Sequence, residues 1–167
     1  MLKTLRRIAT IGIVSEPAPA GDASLRQREQ LQQEIRRLLG RALAIRHVDA
    51  GSCNGCELEL HALNNPLYNL EGLGVKFVAS PRHADLLLVT GPVSRHMEAA
   101  LRLTYEAMPD PKLVVAIGDC GCTGGIFGEG GATLGRVANV IPVDVAVPGC
   151  PPNPVRLLQG ILAAVGR

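Results

Sequence analysis

The chain has 167 residues and a formal net charge of +2, so it presents no overall field that would gather nucleic acid or an anionic membrane. Hydrophobic residues make up 47% and charged residues 19%, which excludes wholesale disorder, while 2% aromatics without Trp disfavours a base-stacking surface. Five cysteines are too few for a disulfide scaffold, and their odd number argues against complete pairing.

No apolar run approaches the roughly 18 residues of a membrane-spanning helix. At the start, Lys3, Arg6 and Arg7 precede an apolar stretch at 8–14 and then Ala18-Pro19-Ala20, which imitates a secretory signal. The stretch is short and includes Thr10 and Gly12, so residues 1–23 are read as an N-terminal arm, flexible or partner-binding. Residues 24–167 are read as a single α/β domain. A helix is expected over 24–40, capped by Ser24, with a ragged apolar stripe of Leu25, Leu31, Ile35, Leu38 and Leu39. Its other face is basic, through Arg26, Arg28, Arg36 and Arg37.

From residue 42 the pattern becomes short apolar runs alternating with helical stretches. The runs at 43–48, 75–79, 86–90, 113–117 and 143–147 are mostly β-branched and nearly continuous, as in strands buried on both faces. Helices are expected at about 57–63, 94–108 and 153–165, with Pro66 closing the first and Ser94 capping the second. This order predicts a mainly parallel sheet covered by helices.

The cysteines fall where such a sheet ends. Cys53 and Cys56 follow the first strand, Cys120 and Cys122 the fourth, and Cys150 the fifth. Open α/β sheets present ligands beyond the carboxyl ends of their strands, so the thiols are expected on one edge. Their turns are rich in Gly51, Gly55, Gly118, Gly121, Gly124, Gly125 and Gly149, and in Pro148, Pro151 and Pro152. Glycine lets backbone N–H groups approach a bulky inorganic group, and proline stiffens the loop that holds it. Four thiolates in such loops suit an iron–sulfur cluster. Structural zinc also takes four thiolates, commonly from two Cys-x-x-Cys pairs, but here only Cys53 and Cys56 make one. A thioredoxin-like dithiol leaves Cys120 and Cys150 unexplained, and the glycines at 118–135 fit no nucleotide-binding loop. In an extended turn the side chains of Cys120 and Cys122, two residues apart, point in opposite directions.

Cys53-Asn54-Gly55-Cys56-Glu57, Gly118-Asp119-Cys120-Gly121-Cys122-Thr123-Gly124-Gly125 and Pro148-Gly149-Cys150-Pro151-Pro152 resemble the small subunit of [NiFe] hydrogenases and the related cluster-bearing 20 kDa component of respiratory complex I. The resemblance covers about residues 43–165. It implies a flavodoxin-like fold, with a mainly parallel sheet and helices on both faces, and one [4Fe-4S] cluster held by Cys53, Cys56, Cys120 and Cys150. Cys122 matches no ligand position of that pattern.

The complex I relative carries Cys-Cys-Gly-x-Glu at its first motif, whereas Asn54 stands here in the second position and the cysteine comes at 56, as in hydrogenases. With no clear twin-arginine leader and a chain that stops soon after Cys150, the resemblance is to the membrane-bound, energy-converting group, formate hydrogenlyase type. It implies an electron-transfer subunit of a hydrogen-evolving oxidoreductase complex, peripheral on the cytoplasmic side of the cell membrane. The implied partners are the hydrogenase large subunit with its nickel–iron site, a ferredoxin-like iron–sulfur subunit and membrane subunits. The alternatives are a complex I-type subunit delivering electrons to quinone and, in another class, a zinc-stabilised assembly protein. Glu57 aligns with the glutamate of Cys-Cys-Gly-x-Glu and is expected at the subunit interface near the proton or electron path. The plainer reading of Glu57 is a first-turn carboxylate favoured by the helix dipole.

Overall fold

The computed structural model describes residues 23–166 together with Lys3, Arg6 and Thr10. The arm expected over 1–23 therefore lies largely outside the described residues. The chain then runs α1 (Ala23–Leu39), β1 (Leu43–Asp49), α2 (Gly55–Ala62), β2 (Val75–Phe77), β3 (Leu86–Thr90), α3 (Glu98–Glu106), β4 (Leu113–Ile117), α4 (Gly118–Thr123), β5 (Val145–Val147) and α5 (Pro154–Val165). The strands form one parallel sheet in the order β2-β1-β3-β4-β5, which is the flavodoxin-like order.

Strand β3 shows why the apolar runs become central strands. All of its residues are buried, and alternation sends Leu86 and Leu88 to one face and Leu87 and Val89 to the other. On the first face they meet Ile35 of α1, Leu60 of α2, and Leu157, Leu158 and Ile161 of α5. On the second they meet Leu101 of α3, Met108 and Val137. Each such side chain contributes about 1.5–3 kcal/mol when fully buried, so both layers are needed to cover the sheet. Helix α5 starts where Asn153 Oδ1 accepts from the Arg156 N–H at 2.9 Å and Pro154 occupies the first turn. It crosses β5 closely at Gly160, where an added Cβ would collide with Val147.

Some expected boundaries move. Ser24 lies inside α1, not before it. Helix α2 ends at Ala62, ahead of Pro66, with Leu63 as its C-cap. The helix expected over 94–108 is regular only at Glu98–Glu106, because Ser94 is drawn into a bridge with Thr133. Ser94 still accepts from the Met97 N–H at 3.3 Å, capping the turn that leads into α3. The strand expected over 143–147 begins at Val145, since the Asp144 carboxylate takes the Val114 N–H at 2.8 Å in place of a ladder carbonyl.

Candidate metal centre at the carboxyl edge of the sheet

Strand β1 ends because Asp49 Oδ1 accepts from the N–H groups of Gly51 and Ser52, at 2.8 and 2.7 Å, folding the chain back on itself. Ser52 Oγ then accepts from the Asn54 N–H at 3.0 Å, and Asn54 turns left-handed at φ 71 to launch α2. Cys53 is left exposed ahead of the helix and Cys56 half-buried in its first turn. On the far side of the switch point, two turns are clamped together. The Asp119 N–H donates to Gly149 O at 2.9 Å, and the Gly149 N–H donates to Asp119 Oδ1 at 2.8 Å. This reciprocal pair fixes the loop of Cys120 against that of Cys150.

The expected extended turn around Cys120 and Cys122 is instead helix α4, Gly118–Thr123. Its glycines argue against a helix by propensity, and the fold supplies it as the chain leaves β4 with Gly118 at φ 81. The two side chains still diverge, because residues two apart on a helix differ by about 200°. Cys122 turns inward, packs against the core layer of Val137 and donates to Ala116 O at 3.6 Å. Burial pushes its thiol up to about 11, against a backbone hydrogen bond from Val147, and none of the other thiols contributes to that shift.

Of the remaining four thiols, Cys56 and Cys120 are held up by burial and by their cysteine neighbours. Burial first, then Glu57, Cys120, Cys53 and Cys150, push the Cys56 thiol up to about 12. Cys120 is raised by burial and then by Cys150 and Cys53. All five cysteines are free. Glycines keep the space between the thiols open. A Cβ on Gly118 would stand 2.7 Å from Cys56 Sγ, and one on Gly125 would stand 2.8 Å from Cys120 Sγ. Among the described residues, no three His, Cys, Asp or Glu side chains converge on one point as a single ion requires.

Glu57 lies in the first turn of α2, where the plainer reading expects it, and it is buried there. It is 6% exposed, and its Oε2 accepts from Ser52 Oγ at 2.5 Å. Its Oε1 is buried without a hydrogen-bond partner, and His47 Nε2 lies 3.8 Å from it. His47 Nε2 also pairs with Thr90 Oγ1 at 3.0 Å. Burial holds His47 below its ordinary 6.5, while Glu57 pulls the other way. Sequence reasoning missed His47, although the signal was present: Arg46 and His47 break the apolar run of Leu43, Ala44, Ile45 and Val48.

A flavodoxin-like sheet order with four cysteines on the turns at its carboxyl edge defines a class, the cysteine-bearing α/β proteins of this topology. Residues 53–164 match the model of the NADH ubiquinone oxidoreductase 20 Kd subunit family, and the chain belongs to that family. It is 47% identical over 142 residues to the probable membrane-bound hydrogenase subunit mbhJ of Pyrococcus furiosus, covering 83% of this chain and 85% of that one. It is 41% identical to formate hydrogenlyase subunit 7 of Escherichia coli, covering 81% of this chain and 53% of that one. Among solved structures, a chain of the membrane-bound sulfane sulfur reductase, an archaeal respiratory membrane complex, superposes with a TM-score of 0.66 at 32% identity, over 87% of this chain and 75% of that one. Among the described residues of this chain, no helix is long and apolar enough to cross a membrane.

Proposed function

We propose that the chain is the electron-transfer subunit of a membrane-associated, hydrogen-evolving [NiFe] hydrogenase complex, and that Cys53, Cys56, Cys120 and Cys150 hold one [4Fe-4S] cluster. The carrying observation is geometric: the turns after β1, β4 and β5 bring Cys53, Cys56, Cys120 and Cys150 to one edge of the sheet, with the Asp119–Gly149 clamp joining two of them, while Cys122 turns into the core. The donor set fits the group chemically: four cysteines would hold such a cluster, and Gly118 and Gly125 leave space beside two of their sulfurs. When bound, such a cluster supplies one-electron transfer at a potential set by its surroundings.

The residues of this chain do the rest. Each thiol that would hold the cluster must give up its proton to do so, and burial of Cys56 opposes that loss. Glu57 places a carboxyl group next to Cys56, and among the described residues its Oε1 has no hydrogen-bond partner, with His47 Nε2 3.8 Å away. We assign it a place at the interface with the large subunit, near the path of protons or electrons. The names of the relatives support a place in a membrane-bound hydrogenase or formate hydrogenlyase assembly; we assign to that assembly a catalytic large subunit as electron acceptor, a ferredoxin-like subunit as donor, and a peripheral seat for this chain on the cytoplasmic face of membrane subunits.

The second reading, delivery of electrons to quinone, is favoured by the family's own description. Two measurements test these proposals. Anaerobic reconstitution should yield about four irons per chain, following the Cys₄ rule for cubane clusters. Zinc at one per chain with no iron would sink the cluster and restore the zinc-stabilised assembly protein. Hydrogen evolution by the whole complex, without quinone reduction, is expected; the reverse result selects the complex I-type role.

A further inference from the structure

Behind the turn of Cys53 and Cys56, polar side chains of β1, β3 and α2 meet on one face of the sheet. The β1–β3 register sets His47 opposite Leu88 and Asp49 opposite Thr90. His47 and Thr90 are therefore diagonal neighbours on the face of Ile45 and Leu88, which α2 covers through Leu60. His47 Nε2 stands 3.0 Å from Thr90 Oγ1 and 3.8 Å from Glu57 Oε1, the buried oxygen without a hydrogen-bond partner. The other carboxyl oxygen of Glu57 takes the Ser52 hydroxyl, and Ser52 Oγ in turn accepts from the Asn54 N–H. Ser52 and Asn54 flank Cys53, and Glu57 follows Cys56. Glu57 thus ties the turn of the first two cysteines to the sheet.

His47 stands at the boundary between this dry contact and water. With Leu60, His61, Asn64 and Phe77 it lines a cavity of about 320 Å³, and 22% of its side chain is exposed. Among the described residues, the side-chain polar atoms both fully buried and unpaired are Arg46 Nε and Glu57 Oε1. His47 Nδ1, to which no group of the described residues bonds, therefore keeps its access to solvent. The ring has one wet nitrogen and one dry one. Burial holds it below its ordinary 6.5, so at neutral pH it carries a single N–H. That hydrogen belongs on Nε2, which two oxygens face. Thr90 Oγ1 accepts it, its own hydrogen going to Val48 O at 3.4 Å, and Glu57 Oε1 lies alongside. A hydrogen on Nδ1 would instead turn the Nε2 lone pair towards the carboxyl oxygen.

We propose that His47 is the positioning residue for Glu57: it presents Nε2–H to Oε1 from the dry side, its ring keeps the water of the cavity from the carboxyl group, and through Ser52 this fixes the turn of Cys53 and Cys56. Its effect on a cluster rests on the reading of those thiols as ligands, whereas its effect on the turn does not. His47 acts on the thiol edge only through Glu57, because among the described residues its hydrogen-bond and ionic partners are Thr90 and Glu57.

The test uses the full-length chain. In the metal-free parent at neutral pH, the ring nitrogen NMR shifts of His47 should report hydrogen on Nε2 and none on Nδ1. Hydrogen on Nδ1 would overturn the proposal, and this measurement needs no variant. Glutamine can set an amide N–H near the place of Nε2, whereas asparagine reaches only the place of Nδ1. His47→Gln should therefore keep the parental exchange rate of the Asn54 amide hydrogen, and His47→Asn should quicken it. After anaerobic reconstitution, His47→Asn should shift the midpoint potential and the electron paramagnetic resonance spectrum of the cluster, and His47→Gln should leave both at the parental values. In a Glu57→Gln background His47→Asn should add no further shift, since a residue that merely filled space would add its own whatever stood at 57. Parental exchange and potential in His47→Asn, or equal shifts in both backgrounds, would overturn the proposal. A parent that takes up zinc and no iron overturns the cluster reading alone, and the ring shifts and Asn54 exchange of the metal-free chain still decide the role of His47.

Discussion

Replacing Gly118 by Ala tests whether the thiol edge is as crowded as its geometry implies. Gly118 stands at φ 81, and a Cβ there would lie 2.7 Å from Cys56 Sγ. Gly128 provides the matched control, since it stands at φ 56 with nothing within 4 Å of its added Cβ. Both substitutions carry the left-handed backbone penalty of about 1–2 kcal/mol, so that contribution cancels in the comparison. What remains for Gly118→Ala is the collision with sulfur, about 1–3 kcal/mol on the scale of overpacked sites. Cys56 can relieve the collision only by rotating its thiol, and it is half-buried against the core layer of Leu60. The variant therefore loses stability, or loses the position of one thiol, or both. Urea unfolding of the metal-free chain reads the first effect, and iron retained after anaerobic reconstitution reads the second. Gly118→Ala should fall below Gly128→Ala in at least one of them. Equal urea midpoints together with equal iron retention would refute the argument.

Three further outcomes are expected. Single replacement of Cys53, Cys56, Cys120 or Cys150 by Ala should abolish or destabilise iron binding, while Cys122→Ser, altering a thiol that faces the core, should leave iron content and the electron paramagnetic resonance signal nearly unchanged. Glu57→Gln keeps the shape and an acceptor for Ser52 Oγ but removes the charge, so cluster assembly should persist while hydrogen evolution by the complex drops at least about tenfold; activity equal to the parent would return Glu57 to a first-turn carboxylate worth about 0.3–1 kcal/mol. The metal-free chain should lose stability in alkali, because Cys56 titrates near 9.0 when unfolded and at about 12 when folded. The fold favours the neutral thiol, so its contribution is complete below 9.0 and disappears as the pH climbs towards 12. Cys56→Ser should make that limb of the urea-midpoint profile shallower, the remainder belonging to Cys120 and Cys122, whereas an unchanged profile would show that the Cys56 thiol is not desolvated as described.

What the sequence determined by itself is the part written in local pattern. Continuous apolar runs such as Leu86 to Thr90 have no polar face to give to water, so they specify strands covered on both sides. Parallel pairing then places whatever follows β1, β4 and β5 on one edge, which is why the position of the cysteines is legible from the chain order alone. What only the tertiary structure decided depends on residues far apart meeting in three dimensions. Helix α4 is dictated by the exit from β4 and not by the propensity of its glycines, and its phase is what turns Cys122 into the core. His47 reaches Glu57 because the Asp49 turn folds α2 back over β1, and Thr90 joins them through the β1–β3 register. Among the described residues the buried Arg46 Nε has no hydrogen-bond partner, on the part of β1 that lies past its pairing with β2. Burial and pairing of polar groups are properties of the packed chain: a Glu, a His or an Arg reads alike in sequence whether water or protein surrounds it.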